Sequence, residues 1–572
     1  MVFVDVIVPL AIATPYTYAV GEELTDVAIG QRVIVPLARK QVVGIVCRQH
    51  TEPVDETITV KEIICPADSL PVVTANQLRL WEWIASYYLC TLGEVMAAAL
   101  PAKLCDRTYT IDRQRIKTPE LTDQPTSLTT LLPEQQQALH DIRQAWQQHS
   151  TVLLHGVTSS GKTEIYTHLI NIELLEGKQV LYLVPEIALT TQLTHRLQMV
   201  FGSRMLVYHS RMTDAQRMAV YRTVLTTDSP LLIVAARSGV FLPFRQLGLV
   251  IVDEEHEPSY KQTDPAPRYH ARSVAVILAQ QHQAHTLLGT ATPAVETWYN
   301  AQTGKYGLVR LTRRYQGLAL PKMTLIDLNR QYHRKEMYGH FSDPLVARIQ
   351  EELSRNKQII LFQNRRGYAP MLICRHCGQT PRCPDCDVPL TLHLHQRQMQ
   401  CHYCGHTDDI PATCPHCGAE MQMRGFGTER LEDEIANIFP NARIARMDWD
   451  STRHKDDYQN ILDCFARHET DILIGTQMVT KGLHFDDVSL VAVLSADHIF
   501  NTPSFRSYER AYQMLEQVAG RAGRTERQGE IIIQTWDVQH PVLHTLSGMI
   551  TISLWMINSP NVRSFISLRT SG

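Results

Sequence analysis

Short runs of apolar residues alternate with polar stretches of helical period through most of this chain. A first set of runs lies at residues 151–154, 179–184, 231–234, 247–252 and 286–288, and a second set at 358–362, 443–447, 471–474, 490–494 and 530–534. Strands that alternate with helices predict parallel sheets covered by helices. We therefore expect an α/β fold with two similar lobes, at residues 131–327 and 328–546.

The first 105 residues follow a different pattern. Short β-rich runs at residues 2–9, 31–36 and 42–47 are punctuated by Pro and Gly, and a helical pattern follows near residues 77–88. This predicts a small, separate β-rich module. Residues 106–130 are polar and aperiodic, which is typical of a linker. Residues 547–572 match no pattern that we can assign, and we expect a divergent tail.

Composition limits the class of protein. A chain of 572 residues with 44% hydrophobic content is expected to form about three or four domains. Its 55 Lys and Arg nearly balance its 58 Asp and Glu, so nucleic acid would have to bind through local patches. The sequence has neither a run of 18 apolar residues nor a basic N-terminal stretch. We expect a cytoplasmic protein without a membrane partner, and nothing requires more than a monomer.

A phosphate-binding loop is predicted directly after the run at 151–154. The segment from Gly156 to Thr163 fits the P-loop pattern, with Ser160, Gly161 and Lys162 at its end. Glycines let backbone N–H groups wrap the phosphates, the lysine neutralises β/γ charge, and the threonine hydroxyl can bind Mg²⁺. A Gly-rich turn without a ligand is the alternative. The pattern predicts ATP as the ligand, bound by these five residues.

An acidic turn follows the run at 247–252. A hydrolytic motor needs one acid to hold Mg²⁺ and another group to polarise water, and both are best placed at a strand end. Asp253 is predicted to hold the metal and Glu254 to polarise the attacking water. A solvated turn is the alternative for such a cluster considered alone. The P-loop upstream makes the catalytic interpretation the stronger one.

Eight of the 13 Cys residues occur as four Cys-x-x-Cys pairs within residues 374–417: Cys374/Cys377, Cys383/Cys386, Cys401/Cys404 and Cys414/Cys417. Eight thiolates suffice for two tetrahedral Zn²⁺ sites, and redox-active pairs are the alternative. Spacing does not fix which pairs share an ion. The other five cysteines are predicted to be inert core thiols (Cys47, Cys65, Cys90, Cys105, Cys464). The histidines of the Cys-rich segment are predicted to be exposed and not to bind the metal (His376, His402, His416).

The motif order resembles that of superfamily 2 helicases. Residues 289–293 resemble the motif that follows the acidic turn in these proteins, residues 475–482 resemble their fifth motif and residues 517–524 their sixth. In the sixth motif, Arg521 and Arg524 lie one helical turn apart and are predicted to be arginine fingers that reach the nucleotide from the second lobe. Gln135 lies in a segment that resembles the adenine-reading element. Surface ion pairs and a solvated helix are the ordinary alternatives for these residues.

The zinc module lies between residues 363–368 and 425–430, and this arrangement resembles the bacterial replication-restart DNA helicases of the primosomal protein N′ (PriA) family. The resemblance covers residues 131–546 almost continuously and extends into the N-terminal module. It implies two RecA-like lobes, a zinc insertion at residues 373–419, 3′→5′ unwinding of forked and single-stranded DNA, and primosome and single-strand-binding proteins as partners. It also implies nested zinc sites, with the outer two Cys pairs sharing one ion and the inner two the other.

The resemblance also places DNA contacts. In the family the N-terminal module captures the 3′ end of a nascent strand, and Tyr16, Thr17 and Lys61 occupy matching positions. An aromatic ring can stack on a base, and a cation suits a phosphate. Arg268 and Arg272 lie in an aromatic and basic stretch just after the acidic turn. We expect that stretch to sense DNA and to signal to the ATP site.

Three departures from the family pattern bear on activity. About 25 linker-like residues stand where the family has a winged-helix domain, and residues 547–572 stand where it has a C-terminal domain. Ala235 and Ala236 replace the usual Gly-Thr, and Ser495 replaces the usual acid. Two alternatives therefore stay open: a fork-binding scaffold with an impaired motor, and a zinc-dependent RNA helicase or other superfamily 2 translocase.

Overall fold

A computed structural model describes residues 2–22, 24, 27–52, 60–110, 128–185, 191–314, 321–363, 371–374, 376–386, 388–393, 397–401, 403–424, 428–447, 457–476, 487–502, 504–522 and 528–548. The chain divides into two units, residues 1–312 and residues 313–572. The first contains the N-terminal module and one α/β lobe, and the second contains the other lobe and the Cys-rich segment.

The N-terminal module begins with an antiparallel sheet in the order β2-β1-β4-β3-β5. Its elements are β1 (Val2–Ile7), β2 (Tyr16–Val20), β3 (Arg32–Leu37), β4 (Lys40–His50), β5 (Cys65–Pro66), α1 (Ala75–Tyr87) and α2 (Leu92–Ala99). Val4 and Val6 in β1, like Val33 and Val35 in β3, are fully buried. Alternate residues of these strands thus face one core, as the period of a strand requires.

The helices of the N-terminal module pack onto the first lobe. Trp81 of α1 lies in one hydrophobic cluster with Phe241 of the lobe. Across the same contact, the Gln77 side-chain amide donates to the Phe241 carbonyl at 2.7 Å, and the Tyr221 hydroxyl donates to the Val72 carbonyl at 3.1 Å. These helices therefore pack against both the strands of the module and the first lobe, and the module and the lobe form one compact unit.

Buried charge fixes the end of the N-terminal module. The Arg32 guanidinium is fully buried, pairs with Asp68 at 2.9 Å and donates to the carbonyls of Leu104 at 2.9 Å and Tyr109 at 2.6 Å. On the lobe side, His168 lies 2.9 Å from the Thr129 carbonyl. The predicted linker at 106–130 therefore has anchored ends, and residues 111–127 lie outside the described part of the chain.

The first lobe is built on a parallel sheet in the order β12-β6-β11-β10-β7-β9-β8. Its elements are α3 (Pro133–Ala145), β6 (Thr151–Gly156), α4 (Lys162–Leu175), β7 (Gln179–Leu183), α5 (Thr191–Phe201), β8 (Met205–Tyr208), α6 (Asp214–Thr226), β9 (Leu232–Ala235), β10 (Leu247–Asp253), α7 (Ala271–Gln281), β11 (His285–Thr290), α8 (Val295–Gln302) and β12 (Gly307–Leu311). Every residue of β7 is buried, as expected for a parallel strand with both faces covered.

The second lobe repeats this design with a parallel sheet in the order β13-β25-β24-β16-β23-β22. Its elements are β13 (Lys322–Asp327), α9 (Leu328–His333), β14 (Met337–Tyr338), β15 (Phe341–Ser342), α10 (Asp343–Ser354), β16 (Gln358–Phe362), α11 (Thr428–Ile438), β22 (Ile444–Met447), α12 (Asp457–Ala466), β23 (Ile472–Gly475), β24 (Val488–Val493), α13 (Asp497–Phe500), α14 (Ser507–Ala519), β25 (Glu530–Thr535) and α15 (Pro541–Gly548). Strand β13 pairs with β25, so the lobe boundary expected at residue 327 lies before β13.

The Cys-rich segment is inserted between β16 and α11. It contains β17 (Met371–Cys374) paired with β21 (Met421–Arg424), and a three-stranded sheet of β18 (Thr391–His393), β19 (Gln398–Gln400) and β20 (Thr407–Asp409). None of the helices that the structure describes has the length and apolar character needed to cross a membrane.

Removing one partner of the buried Arg32–Asp68 pair should destabilise the first unit strongly. Asp68→Ala leaves the Arg32 charge buried without its carboxylate, so the free energy of unfolding should fall by about 3 kcal/mol. Urea unfolding followed by tryptophan fluorescence measures this change. The matched control is Glu52→Ala, which removes an exposed pair with Arg48 and should cost less than about 1 kcal/mol. Equal effects of the two substitutions would contradict the assigned role of the buried pair.

Candidate functional site

The P-loop connects β6 to α4 at the carboxyl edge of the first sheet. Gly161 is the residue before the helix and has a φ of +80°, a conformation that favours glycine. A Cβ at this position would overlap the side-chain amide of Gln135. The Lys162 ammonium donates to the Gly156 carbonyl at 2.9 Å. The backbone of the loop thus holds the Lys162 side chain, and the backbone conformation at Gly161 requires glycine.

Gln135 lies against this loop, as the resemblance implied for an adenine-reading residue. It is buried in α3, its side-chain oxygen accepts from the Leu132 N–H at 2.9 Å, and its amide nitrogen lies 3.5 Å from the Ser160 carbonyl. The Ser160 hydroxyl is buried and has no hydrogen-bond partner among the residues that the structure describes. A buried, unsatisfied hydroxyl beside the lysine fits a site that binds a polar ligand.

Asp253 ends β10 at the same edge of the sheet. Its carboxylate accepts hydrogen bonds from the hydroxyls of Tyr166 at 3.1 Å and Tyr182 at 3.3 Å. Burial, followed by repulsion from Glu254, raises the pKa of Asp253 to about 6, while the charge of Lys162 opposes that increase. The P-loop lysine therefore lies close enough to act on the predicted metal-binding carboxylate. Sequence reasoning missed both tyrosines, because they lie in ordinary core patterns of α4 and β7.

Glu254 has a conformation that is rare for a residue other than glycine. Its φ is +46°, and its N–H donates to the Asp253 carboxylate at 3.1 Å. The Oε2 atom of Glu254 is buried without a hydrogen-bond partner in the described part of the chain, and this atom lies 3.6 Å from the His256 Nδ1. Backbone strain of this kind concentrates at functional sites, which supports the catalytic role predicted for Glu254.

The remaining residues of the acidic turn connect it to the segment after β11. Glu255 accepts from the Ala294 N–H at 2.7 Å and from the Thr297 hydroxyl at 2.8 Å, and it pairs with Arg272 at 2.7 Å. The side chain of Arg272 is only 13% exposed. Arg272 was expected to contact DNA, but in this structure its guanidinium neutralises the buried Glu255. His256 lies 2.7 Å from the Thr290 hydroxyl and extends the same connection.

The eight predicted zinc ligands form two sets of four. Within each set all four sulfur atoms lie within 4.8 Å of one another. One set joins Cys374 and Cys377 to Cys414 and Cys417, and the other joins the inner two pairs, Cys383/Cys386 and Cys401/Cys404. This confirms the nested pairing that the resemblance implied. Tetrahedral Zn²⁺ with bonds of about 2.3 Å requires sulfur separations of about 3.8 Å, which these clusters fit.

Backbone geometry around the cysteines also suits thiolate ligands. The N–H groups of His376 and Tyr403 point at the sulfurs of Cys374 and Cys401, at 3.3 and 3.4 Å. Gly378, Gly405 and Gly418, each one residue after a pair, have φ values of +70°, +79° and +75° and close the turns. Donors to sulfur stabilise negative charge there. The module contacts the second lobe through the Thr380 hydroxyl, which lies 2.7 Å from Asn501.

Three of the five cysteines outside the module behave as the sequence predicts for core thiols. Burial raises the pKa of Cys47 to about 12 and that of Cys90 to about 11, and it also raises the pKa of Cys105. Thiols with raised pKa values hold little thiolate at neutral pH and react slowly.

The predicted 3′-end residues lie together at the edge of the N-terminal sheet. Tyr16 and Thr17 begin β2, and Tyr16 is 39% exposed. The Ala19 N–H donates to the carbonyl of the exposed Lys61 at 2.9 Å, so Lys61 lies beside the same strand. The Thr17 hydroxyl donates to Asp5 at 2.7 Å. The role of these residues in binding a 3′ end stays a prediction.

The remaining predicted site residues are three arginines, Arg268, Arg521 and Arg524. Arg268 is exposed, and its carbonyl accepts from the Lys261 ammonium. Arg521 lies just after α14 in the second unit, where its N–H donates to the Val518 carbonyl at 3.0 Å. Arg524 lies outside the described residues. The arginine-finger assignments therefore stay predictions.

Family profiles match four parts of the chain. Residues 5–101 match a 3′ DNA-binding domain, 132–300 a DEAD/DEAH box helicase, 383–408 a PriA DNA helicase Cys-rich region and 427–526 a helicase conserved C-terminal domain. These matches fall on the N-terminal module, the first lobe, the inner zinc cluster and the second lobe.

Curated relatives align along most of the chain. The replication restart protein PriA of Rickettsia felis is 38% identical over 534 residues, which cover 93% of this chain and 80% of the relative. That of Haemophilus influenzae is 35% identical, covering 94% and 83%. That of Bacillus subtilis is 43% identical over 413 residues, covering 72% of this chain and 51% of the relative. The chain thus spans about half of the Bacillus protein and about four fifths of the other two.

Gly161→Ala should weaken nucleotide binding, because the new methyl group would displace the Gln135 amide and distort the loop. We expect at least a tenfold increase in the dissociation constant of a fluorescent ATP analogue, equal to about 1.4 kcal/mol. Gly177→Ala is the matched control, since Gly177 has a φ of +79° with nothing within 4 Å of an added Cβ. It should cost stability of about 1 kcal/mol and leave ATP affinity unchanged. Equal ATP affinities in the two variants would refute the role of Gln135.

Removal of zinc should unfold the Cys-rich module and leave the nucleotide site intact, because the two lie in different units. Cys383→Ser should lower the metal content, measured by atomic emission, from two ions per chain to one. Cys464→Ser, which alters a cysteine outside both clusters, should keep both ions. Loss of ATP-analogue binding after chelation would show that the two sites depend on each other.

Proposed function

Because this chain belongs to the PriA family of replication-restart DNA helicases, we propose that it hydrolyses ATP to unwind forked DNA with 3′→5′ polarity. The observation that carries this proposal is the meeting of Lys162 and Asp253 at one edge of the first sheet. In neighbouring parallel strands, Asp253 lies opposite Gly289 of β11, and Thr290 of β11 lies opposite His155 of β6. That strand order supports the proposal, because the predicted phosphate-binding loop and a partly buried acid leave the same edge of the sheet.

The P-loop residues bind the nucleotide phosphates in the proposed mechanism. Backbone N–H groups of the loop from Gly156 to Gly161 surround the phosphate oxygens, and Lys162 exchanges its bond to the Gly156 carbonyl for the β- and γ-phosphates. The buried Ser160 hydroxyl gains a partner in the same step. Gln135 contacts the adenine side of the loop. Binding thus gives the Ser160 hydroxyl a hydrogen-bond partner and the Lys162 ammonium an anionic one.

Thr163 and Asp253 are the residues that would hold Mg²⁺. When bound, Mg²⁺ supplies positive charge that neutralises the charge building up between the β- and γ-phosphates. The hydrogen bonds from Tyr166 and Tyr182 orient the Asp253 carboxylate. Glu254 orients the attacking water through its carboxylate and accepts a proton from it. Arg521 and Arg524 of the second lobe stabilise the transferring phosphoryl group.

The acidic turn provides the proposed connection between ATP and DNA. Glu255 binds both the segment after β11 and Arg272, and Arg272 ends the aromatic and basic stretch that follows the turn. Movement at the phosphates therefore reaches that stretch through direct contacts. Arg268 contacts DNA phosphate from it, and Tyr16, Thr17 and Lys61 capture the 3′ end of the nascent strand. Primosome and single-strand-binding proteins are the proposed partners of a monomer.

The decisive measurement is ATP turnover with and without a forked DNA that carries a 3′ nascent end. The wild-type chain should be stimulated by the fork, and Lys162→Ala should lower stimulated turnover by about 100-fold or more, because one positive charge on the phosphates is lost. Lys305→Ala removes an exposed lysine of the same lobe and should change little.

Strand separation by the protein, measured with forks that carry a label on one arm or on the other, then tests the polarity of unwinding. A folded, zinc-loaded chain that binds forks without turnover or unwinding would overturn the motor assignment and leave a fork-binding scaffold. Stronger stimulation by an RNA fork than by a DNA fork would favour an RNA translocase instead.

A further inference from the structure

We propose that three aromatic residues at the end of α1, Trp83, Tyr87 and Tyr88, form a binding site for unpaired bases of single-stranded DNA, in which Tyr87 stacks on a base. We call these three residues the aromatic cluster. The inference rests on the proposed function, since it names a further contact that a DNA motor would use. The cluster is distinct from the 3′-end residues, which lie on the strand side of the N-terminal module.

Helical spacing builds the cluster. Trp83 and Tyr87 are four residues apart on one face of α1, and their rings stack with centroids 4.8 Å apart and planes inclined by 16°. The Tyr88 ring meets the Tyr87 ring edge-on at 4.9 Å. Trp83 and Tyr88 pack against the core of the first unit, whereas Tyr87 is 52% exposed. The core thus holds a ring whose outer side faces solvent.

Packing does not explain the exposure of Leu89, the residue that follows the aromatic cluster. Leu89 is 92% exposed and has a φ of +51°, a conformation that costs a residue with a branched side chain about 1 kcal/mol. A large apolar side chain presented in this way, next to a half-exposed tyrosine, forms an apolar surface that suits the face of a base or a sugar. Single-stranded nucleic acid supplies bases with exposed faces, which duplex DNA does not.

Positive charge lies directly beside these rings. The Lys261 ammonium is 5.1 Å from the centroid of the Tyr88 ring and donates to the carbonyl of Arg268, whose side chain is exposed. Lysine and arginine next to stacked aromatic rings provide the contacts that phosphates and bases of a single strand require. Glu82 and Asp264 are exposed acids in the same two segments. Because they repel phosphates, we expect the site to bind only a short length of single-stranded DNA.

The cluster is connected to the ATP site by short contacts. The Tyr88 hydroxyl accepts from the His270 N–H at 3.0 Å, and Lys261 follows Tyr260, whose hydroxyl donates to the Asp253 carbonyl at 2.7 Å. A base stacked on Tyr87 therefore lies against the segment that supports the predicted metal-binding acid. Occupation of the cluster should lower the DNA concentration needed to stimulate ATP turnover.

The test uses the full chain and single-stranded oligothymidylate that carries one 2-aminopurine, whose fluorescence falls when it stacks on an aromatic ring. Tyr87→Ala should abolish the quenching and weaken oligonucleotide binding about tenfold, the effect of losing one base–aromatic stack. Tyr87→Phe keeps the ring and should remain within about twofold of wild type. Leu89→Asn, which tolerates the same backbone conformation, should give a smaller loss.

Tyr338→Ala is the matched control, because Tyr338 is 56% exposed in the second lobe and lies outside the cluster. In ATPase assays, Tyr87→Ala should raise the DNA concentration for half-maximal stimulation about tenfold and keep both the maximal and the DNA-free rates. Wild-type quenching and affinity in Tyr87→Ala would overturn the proposal while leaving the helicase assignment intact. A wild-type chain without any DNA stimulation would instead refute the proposed function itself.

Discussion

The parallel pairing of β6, β11 and β10 is the constraint on which the candidate nucleotide site depends. Because the three strands run in the same direction and lie side by side, their carboxyl ends meet at one edge of the sheet. The P-loop, the segment after Thr290 and the acidic turn each leave one of these ends. Residues about 90 positions apart in the chain, such as Lys162 and Asp253, are brought together by strand order alone.

Hydrogen bonds from several elements hold Asp253 and the acidic turn at that edge. Tyr166, Tyr182 and Tyr260 give three hydroxyls to Asp253, two to its carboxylate and one to its carbonyl. Glu255 and His256 bind the segment after β11. The acid is thus held from three elements of the lobe, and the N-terminal module packs on the same unit through α1. A change at the nucleotide therefore has direct routes to the stretch that contains Arg268 and to the aromatic cluster.

The sequence predicted central strands well and edge strands poorly. All ten predicted lobe strands occur, with small shifts at their ends, because central parallel strands are apolar throughout. In the three large sheets the strands that it missed, β2, β5, β8, β12 and β13, are all sheet edges, where one side lacks a neighbour and the hydrophobic run is broken, and β22 is the edge strand that it found. The short strands β14, β15 and β17–β21 were also missed. The Cys-x-x-Cys pairs marked the eight zinc ligands, and the resemblance to the family implied their nested pairing, which the structure confirms. The ion pair between Arg272 and Glu255 has no local signal in the sequence, because it joins residues from two different segments.

The two anchors on either side of residues 111–127 have a consequence for how this architecture can diversify. Arg32 donates to the carbonyl of Tyr109, and His168 lies 2.9 Å from that of Thr129, so the chain is held on both sides of this stretch. Material of very different length can be exchanged between such fixed points at small entropic cost. The position is a natural acceptor for domain insertion or loss, and evolution could alter substrate range there without rebuilding the motor.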